Sequence, residues 1–233
     1  MPQPLTPLQP KPIPRTWTPF ETLLDEVKLY VPHVADPVAL HVVRNSAIDF
    51  CRQTGLWVYD IDPLVGIPYQ PIYDIPTPDN SVISICLEMW YGGSRLEGQS
   101  IEQLKKRFVN DFRNIINVNG PPSFFYHEDL CTVRLVPCPI NNENERDFLT
   151  GIVTLQPSRQ SLGLPSDIAE RWSEGIGYGA RARLYDTPDT PYYNPGSARL
   201  YERKAMNEIG KGKIVANQAR TRGPLSVTKR PGG

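Results

Sequence analysis

Proline placement constrains this chain more than any other feature of its sequence. There are 25 prolines in 233 residues, twice the usual ~5%. Seven of them (Pro2, Pro4, Pro7, Pro10, Pro12, Pro14 and Pro19) fall before Phe20. Each proline fixes φ and removes an amide donor, so neither a helix nor a central strand is expected between Met1 and Pro19. Residues 1–19 read as an extended arm that either stays solvated or lies across a neighbour, and its pre-ordered backbone lowers the entropy lost on docking.

Beyond the arm the chain is that of a folded protein, with 39% apolar and 21% charged residues. At this length a core forms without staples. Cys51, Cys86, Cys131 and Cys138 form no C-x-x-C pair and three lie in apolar stretches, which suits a reducing compartment. No stretch approaches the ~18 apolar residues of a membrane span, and the proline-rich start does not resemble a signal peptide, so neither insertion nor secretion is expected.

Basic and acidic residues number 25 each, so the net charge is zero and a wholly basic histone-like binder is excluded. The charge is nevertheless segregated. From Ile209 to Gly233 there is no Asp or Glu, while Lys211, Lys213, Arg220, Arg222, Lys229 and Arg230 give a local +6. Such a tail is either solvated or attracted to an anionic surface, whether nucleic acid or an acidic protein groove. No aromatic residue interleaves these charges, as base stacking requires.

Periodicity supplies the elements. Phe20 to Tyr30 reads as a short amphipathic helix stopped by Pro32. Asp36 as N-cap and Pro37 at the first position open a second helix, with Leu40, Val43, Ala47, Phe50 and Cys51 on its apolar face and Gly55 at its end. Strands are expected around Val58, within Ile67–Ile75 and over Val82–Trp90, and again at Phe124–Tyr126, Cys131–Val136 and Leu149–Gln156. The sheet is expected to be antiparallel, with Asn141–Asp147 as an exposed hairpin loop. Ser100 and Gln103 form a capping box for a helix over about 100–117. After Leu164-Pro165, Ser166 or Asp167 caps a helix carrying Ile168, Trp172, Ile176, Ala180 and Leu184 at four-residue steps. Gly175, Gly177 and Gly179 inside it cost roughly 2–3 kcal/mol against alanine, which implies a neighbouring backbone too close for a Cβ. Asn194-Pro195 opens the last helix, with Ala198, Tyr201, Ala205 and Ile209, and Gly210 and Gly212 weaken it into the tail.

The expected fold class is α+β: a helical bundle (20–56 and 165–215) with an inserted antiparallel β-rich domain (57–164), flanked by the N-terminal arm and a basic tail (216–233).

Chemistry is hard to find. Gly175-x-Gly177-x-Gly179 lacks the spacing and preceding strand of a dinucleotide loop, and Gly210-Lys211-Gly212-Lys213 lacks the spacer and hydroxyl of a phosphate loop. His127, Cys131 and Cys138 offer only three candidate zinc ligands, with Cys131 and His127 in strand alternation. His33 and His41 have no nucleophile partner in any recognisable motif. The carboxylates Glu21, Asp25, Glu26, Glu143, Glu145 and Asp147 are scattered, without the burial that general-acid work needs. Neither an enzyme nor a cofactor or metal is expected.

One set of features resembles a known family: Arg44-x-x-Ala47-Ile48-Asp49-Phe50-Cys51 leading to Trp57; Gly120-Pro121-Pro122 before Phe125-Tyr126; Leu135-x-Pro137-x-Pro139; Leu164-Pro165 opening a helix with Gly179-Ala180-x-Ala182-x-Leu184-Tyr185; and Asn194-Pro195-x-x-Ala198-x-x-Tyr201. Over about residues 20–215 the chain is similar to the head-to-tail adaptor (connector) proteins of tailed bacteriophages, which include the tail tubular proteins. The resemblance implies a non-catalytic structural subunit in a dodecameric ring at the virion neck, assembled in the host cytoplasm. Such a ring encloses the DNA channel without sequence-specific binding, and touches no membrane. It further implies that the last helix and tail engage the portal protein, which puts Tyr201, Lys211, Lys213, Arg220 and Arg222 at that contact, and that the β-rich end faces the next tail or nozzle component. Trp172, Gly175, Gly179, Ala180 and Leu184 are expected to serve close helix packing. The proline-rich arm departs from the family pattern. The alternative function is nucleic-acid binding through the basic tail.

Overall fold

A computed structural model describes residues 16–108, 118–129, 131–140 and 147–220. The protein is a mixed α+β structure. Strand β1 (Trp17–Pro19) is followed by a 3₁₀ turn (Phe20–Leu23), a single-turn helix α1 (Asp25–Lys28) and α2 (Asp36–Thr54). Strands β2 (Val58–Val65), β3 (Ile72–Asp74), β4 (Ser81–Tyr91), β5 (Ser94–Arg95) and β6 (Glu97–Gly98) lead to α3 (Ile101–Arg107). Then come β7 (Phe124–His127), β8 (Thr132–Val136), β9 (Phe148–Pro157), β10 (Gly163–Pro165), and the long helices α4 (Ser166–Tyr185) and α5 (Pro195–Arg220).

Several boundaries differ from expectation for identifiable reasons. The Phe20–Tyr30 segment buries Phe20, Leu23, Val27 and Val31 as its spacing requires, but as a 3₁₀ turn and one helical turn. A stretch so short sustains no longer helix unaided. Helix α2 begins at Asp36 itself with Ala35 in the cap position, because the Asp36 carboxylate pairs with Lys28. Its other end closes as expected on Gly55, at φ 62°, whose N–H donates to the Cys51 carbonyl at 2.9 Å. Neither Ser166 nor Asp167 caps α4. Pro165 holds the cap position, and the Ser166 hydroxyl oxygen instead accepts from Thr18 Oγ1 at 2.8 Å. The capping box of α3 is present: Gln103 N–H donates to Ser100 Oγ at 3.2 Å and Ser100 N–H to Gln103 Oε1 at 2.8 Å. Helix α3 ends at Arg107, and 109–117 of the expected helix lie outside the described residues.

At both ends the folded part extends further than expected. The last three residues of the arm form β1, which pairs antiparallel with β10 (Trp17 opposite Pro165, Pro19 opposite Gly163). Pro19 is tolerated because it closes a short strand paired on one edge only. Helix α5 runs through Gly210 and Gly212 to Arg220, five residues into the segment expected as tail. The packing of its inner face, described below, outweighs the propensity cost of the two glycines.

The strands form two four-stranded sheets, ordered β2-β9-β4-β5 and β3-β8-β7-β6. Pairing is antiparallel except between β6 and β7, which run parallel (Glu97 opposite Phe124, Gly98 opposite Phe125). A connection that passes through a helix, here α3, permits parallel pairing where a tight turn would not. Strands β8 and β9 do not form the expected hairpin. Each is a central strand, β8 between β3 and β7 and β9 between β2 and β4, so the chain crosses from one sheet to the other between them. Residues 141–146 of that connection lie outside the described residues.

One hydrophobic cluster runs through helices and sheets alike, from Val27 and Phe50 through Trp57 and Ile83 to Val133, Leu135 and Val153. Helix α4 is its spine, and its glycines explain how. A Cβ at Gly175 lies 2.9 Å from Glu208 Cβ of α5; one at Gly177 lies 3.0 Å from Glu26 Cβ of α1; one at Gly179 collides with Ser46 Oγ of α2. The close approach is thus to side chains of three different helices, not to a neighbouring backbone.

Gly179→Ala is expected to destabilise the fold by about 1–3 kcal/mol through overpacking. Adding Ser46→Ala, which removes the colliding hydroxyl, should return part of that loss, so urea unfolding of the two single variants and the double variant should show non-additive costs.

Candidate assembly surface on the last helix

Helix α5 is held at its start by a buried cation. Arg181 of α4 is 2% exposed. Its Nε donates to the Glu26 carbonyl at 2.6 Å and its Nη2 to Glu26 Oε2 at 3.0 Å, which ties the end of α1 to α4. Three rings surround the guanidinium, Tyr30 at 3.9 Å, Tyr178 at 5.2 Å and Tyr201 at 5.4 Å from their centroids. Tyr201 also stacks on Tyr185 at 5.7 Å with an interplanar angle of 10°. The Tyr185 hydroxyl donates to the Tyr30 carbonyl at 2.9 Å, and Tyr178 donates to Glu174, a bond that pushes the Tyr178 phenol up to about 12. The negative ring faces replace the water a buried guanidinium would lose.

From this anchor α5 presents two unlike faces. The inner face is Ala198, Ala205, Ile209, Gly212 and Ala216, recurring at steps of seven, four, three and four; all are buried. Small residues let it lie close to α4 and α2, and a Cβ at Gly212 would stand 2.7 Å from Thr54 Cγ2. The far end is fastened by Arg220, whose Nη2 donates to the Gly55 carbonyl at 2.7 Å, satisfying a group left free where α2 ends.

The outer face carries Leu200, Met206 and Ile214, exposed by 49%, 52% and 59%. The helix as a whole carries Arg199, Arg203, Lys204, Lys211, Lys213 and Arg220 against Glu202 and Glu208, a net +4. Gly210 lies among them, and a Cβ built there meets nothing within 4 Å. Its neighbours Met206, Lys211 and Ile214 line an open hollow of about 540 Å³. A mid-helix glycine costs about 1 kcal/mol against alanine. No contact among the described residues accounts for it.

The residues singled out from the sequence therefore divide. Trp172 is buried against Phe50, with ring centroids 5.5 Å apart, and Gly175, Gly179, Ala180 and Leu184 all pack within the helical layer. Tyr201 and Arg220 are committed to contacts within the fold. They stand nineteen residues apart on one helix, about 28 Å, so they do not form one patch. Lys211 is exposed and paired with Glu208 at 2.6 Å; Lys213 is exposed; Arg222 lies outside the described residues. Sequence reading missed Leu200, Met206, Ile214 and the buried Arg181–Glu26 pair. Leu200 and Ile214 are two heptads apart, a weak signal that exposure alone resolves.

All four cysteines are unpaired, and burial pushes the Cys51 and Cys86 thiols up to about 12. Among the described residues no group of three His, Cys, Asp or Glu side chains is placed to hold a metal ion, and no helix is long and apolar enough to cross a membrane. Comparison with known proteins finds no match to any family model or to any curated protein.

Glu26→Gln removes the counter-charge of the buried guanidinium but keeps an oxygen acceptor, and, with the Glu26 side chain 37% exposed, is expected to cost about 1 kcal/mol in urea unfolding. Alanine at two nearby glycines should act with opposite signs on the isolated chain. Gly210→Ala is expected to stabilise it by up to about 1 kcal/mol, whereas Gly212→Ala should destabilise it through contact with Thr54; thermal melts distinguish them.

Proposed function

We propose that this chain is a structural assembly protein, a ring-forming head-to-tail adaptor of a tailed bacteriophage, that works by mating surfaces and transforms no substrate. The carrying observation is the outer face of α5, where Leu200, Met206 and Ile214 stand exposed beside the unaccounted-for Gly210. Apolar residues and a glycine on a solvent face fit contact with another protein.

In this reading the N- and C-terminal helices form a bundle with the β-rich domain inserted between them. Copies associate side by side as a ring, dodecameric by resemblance, around the DNA channel in the virion neck. A cyclic ring needs two unlike lateral faces that match after a fixed rotation. Lys211 and Lys213, with Arg222 in the following segment, contact the portal, and the β-rich end faces the next tail component. Tyr201 and Arg220 take an indirect part, holding α5 in place. A nucleic-acid binder using the basic tail is the second reading, favoured only by the local +6 between Ile209 and Gly233. It does not require the apolar residues.

Mass measurement of the protein alone and mixed with its portal should give a ring of about twelve copies. A chain that stays monomeric in both conditions sinks the proposal. Met206→Glu with Ile214→Glu, both exposed, should leave the melting temperature nearly unchanged, as surface substitutions do, yet abolish assembly. Ending the chain at Arg220 should weaken portal docking. DNA affinity that falls steeply with salt and weakens with the same truncation, which removes Arg222, Lys229 and Arg230, in a chain that never assembles, is the outcome the second reading expects.

A further inference from the structure

Strand β2 forms one margin of its sheet, and no described strand pairs with its outer edge. Exposed strand edges invite pairing and are normally covered. The parity of that edge follows from its inner side. Leu155 N–H donates to the Trp57 carbonyl, and the register pairs Tyr59 with Val153 and Ile61 with Gly151. Odd-numbered residues there bond β9, so the N–H and C=O of Asp60 point outward. Asp60 and Asp62 are exposed, and neither joins an ion pair among the described residues.

The chain enters the fold near the start of β2. The Trp17 ring stands 5.5 Å from that of Trp57, the residue that leads into β2. Strand β1 bonds β10 through its even residues: the Thr16 carbonyl accepts from Ser166 N–H at 2.9 Å, and Phe20 N–H donates to the Leu162 carbonyl at 3.0 Å. Upstream, Pro10, Pro12 and Pro14 hold even positions, and Gln9, Lys11, Ile13 and Arg15 hold odd ones. In a strand, alternate residues present their backbone groups to the same side. This sequence therefore has a complete row of donors on one edge and none on the other, which is where edge strands tolerate proline. Continued as a strand from Trp17, such a donor row would fall on the side turned away from β10.

We propose that residues 9–15 add to the outer edge of β2 of the same chain as an antiparallel strand. Gln9–Arg15 extended covers about 20 Å, close to the length of the eight-residue β2. Charge agrees, since Lys11 and Arg15 come to an edge bearing Asp60 and Asp62. The added strand caps the sheet: its outward side lacks amides at Pro10, Pro12 and Pro14, so no further strand can follow.

Amide exchange by NMR on the full-length protein tests this at Asp60. Exchange there is expected to be at least tenfold slower than in the full-length variant Lys11→Pro with Ile13→Pro, which removes two donors. Pro12→Ala, which alters only the outward side, should keep the protection. Equal exchange at Asp60 in the parent and the double-proline variant overturns the proposal. So does protection that disappears on dilution to monomer, which would place the arm on another molecule.

Discussion

The bond between Arg181 and Glu26 fixes how the helices can be arranged. A guanidinium with 2% exposure is costly unless every donor finds a partner, and here its partners come from three elements: the Glu26 carboxylate and carbonyl from α1, Tyr178 from α4, and Tyr201 from α5. These contacts tie α1 and α5 to α4 at one point. The glycines of α4 then bring the same elements within side-chain contact, so the polar anchor and the apolar packing specify the same geometry.

That agreement shows how far the sequence could be read. Helix positions were legible because apolar spacing, Gly55 and the Ser100–Gln103 box are local signals. The longer strands were legible for the same reason, whereas the short β1, β5, β6 and β10, of two or three residues, have too little pattern to show. Partners were not. Nothing in the alternation of Val133 and Leu135 says that β8 lies between β3 and β7, or that the chain then leaves for another sheet. Caps failed where a tertiary contact claimed the side chain, Lys28 taking Asp36 and Thr18 taking Ser166.

The candidate surface was legible only in part. Charge on α5 could be counted in the sequence, but whether Tyr201 or Arg220 was free to meet a partner depended on contacts 165 residues away in the case of Arg220 and Gly55. Conversely, the exposure of Leu200, Met206 and Ile214 has no local mark. Glycine makes the point most sharply: Gly210 and Gly212 are indistinguishable by composition, yet one fills a tight inner contact with Thr54 and the other faces open space.

Arg220 meets Gly55, and Trp17 meets Trp57 two residues further on, where the chain enters β2. Trp17 and Arg220 therefore both stand where α2 gives way to β2, while the tyrosines around Arg181 gather near the other end of the last helix. A single loosening of the Gly55–Trp57 junction would thus release the hold on the last helix and on the entering strand together, so this short stretch acts as a common clasp.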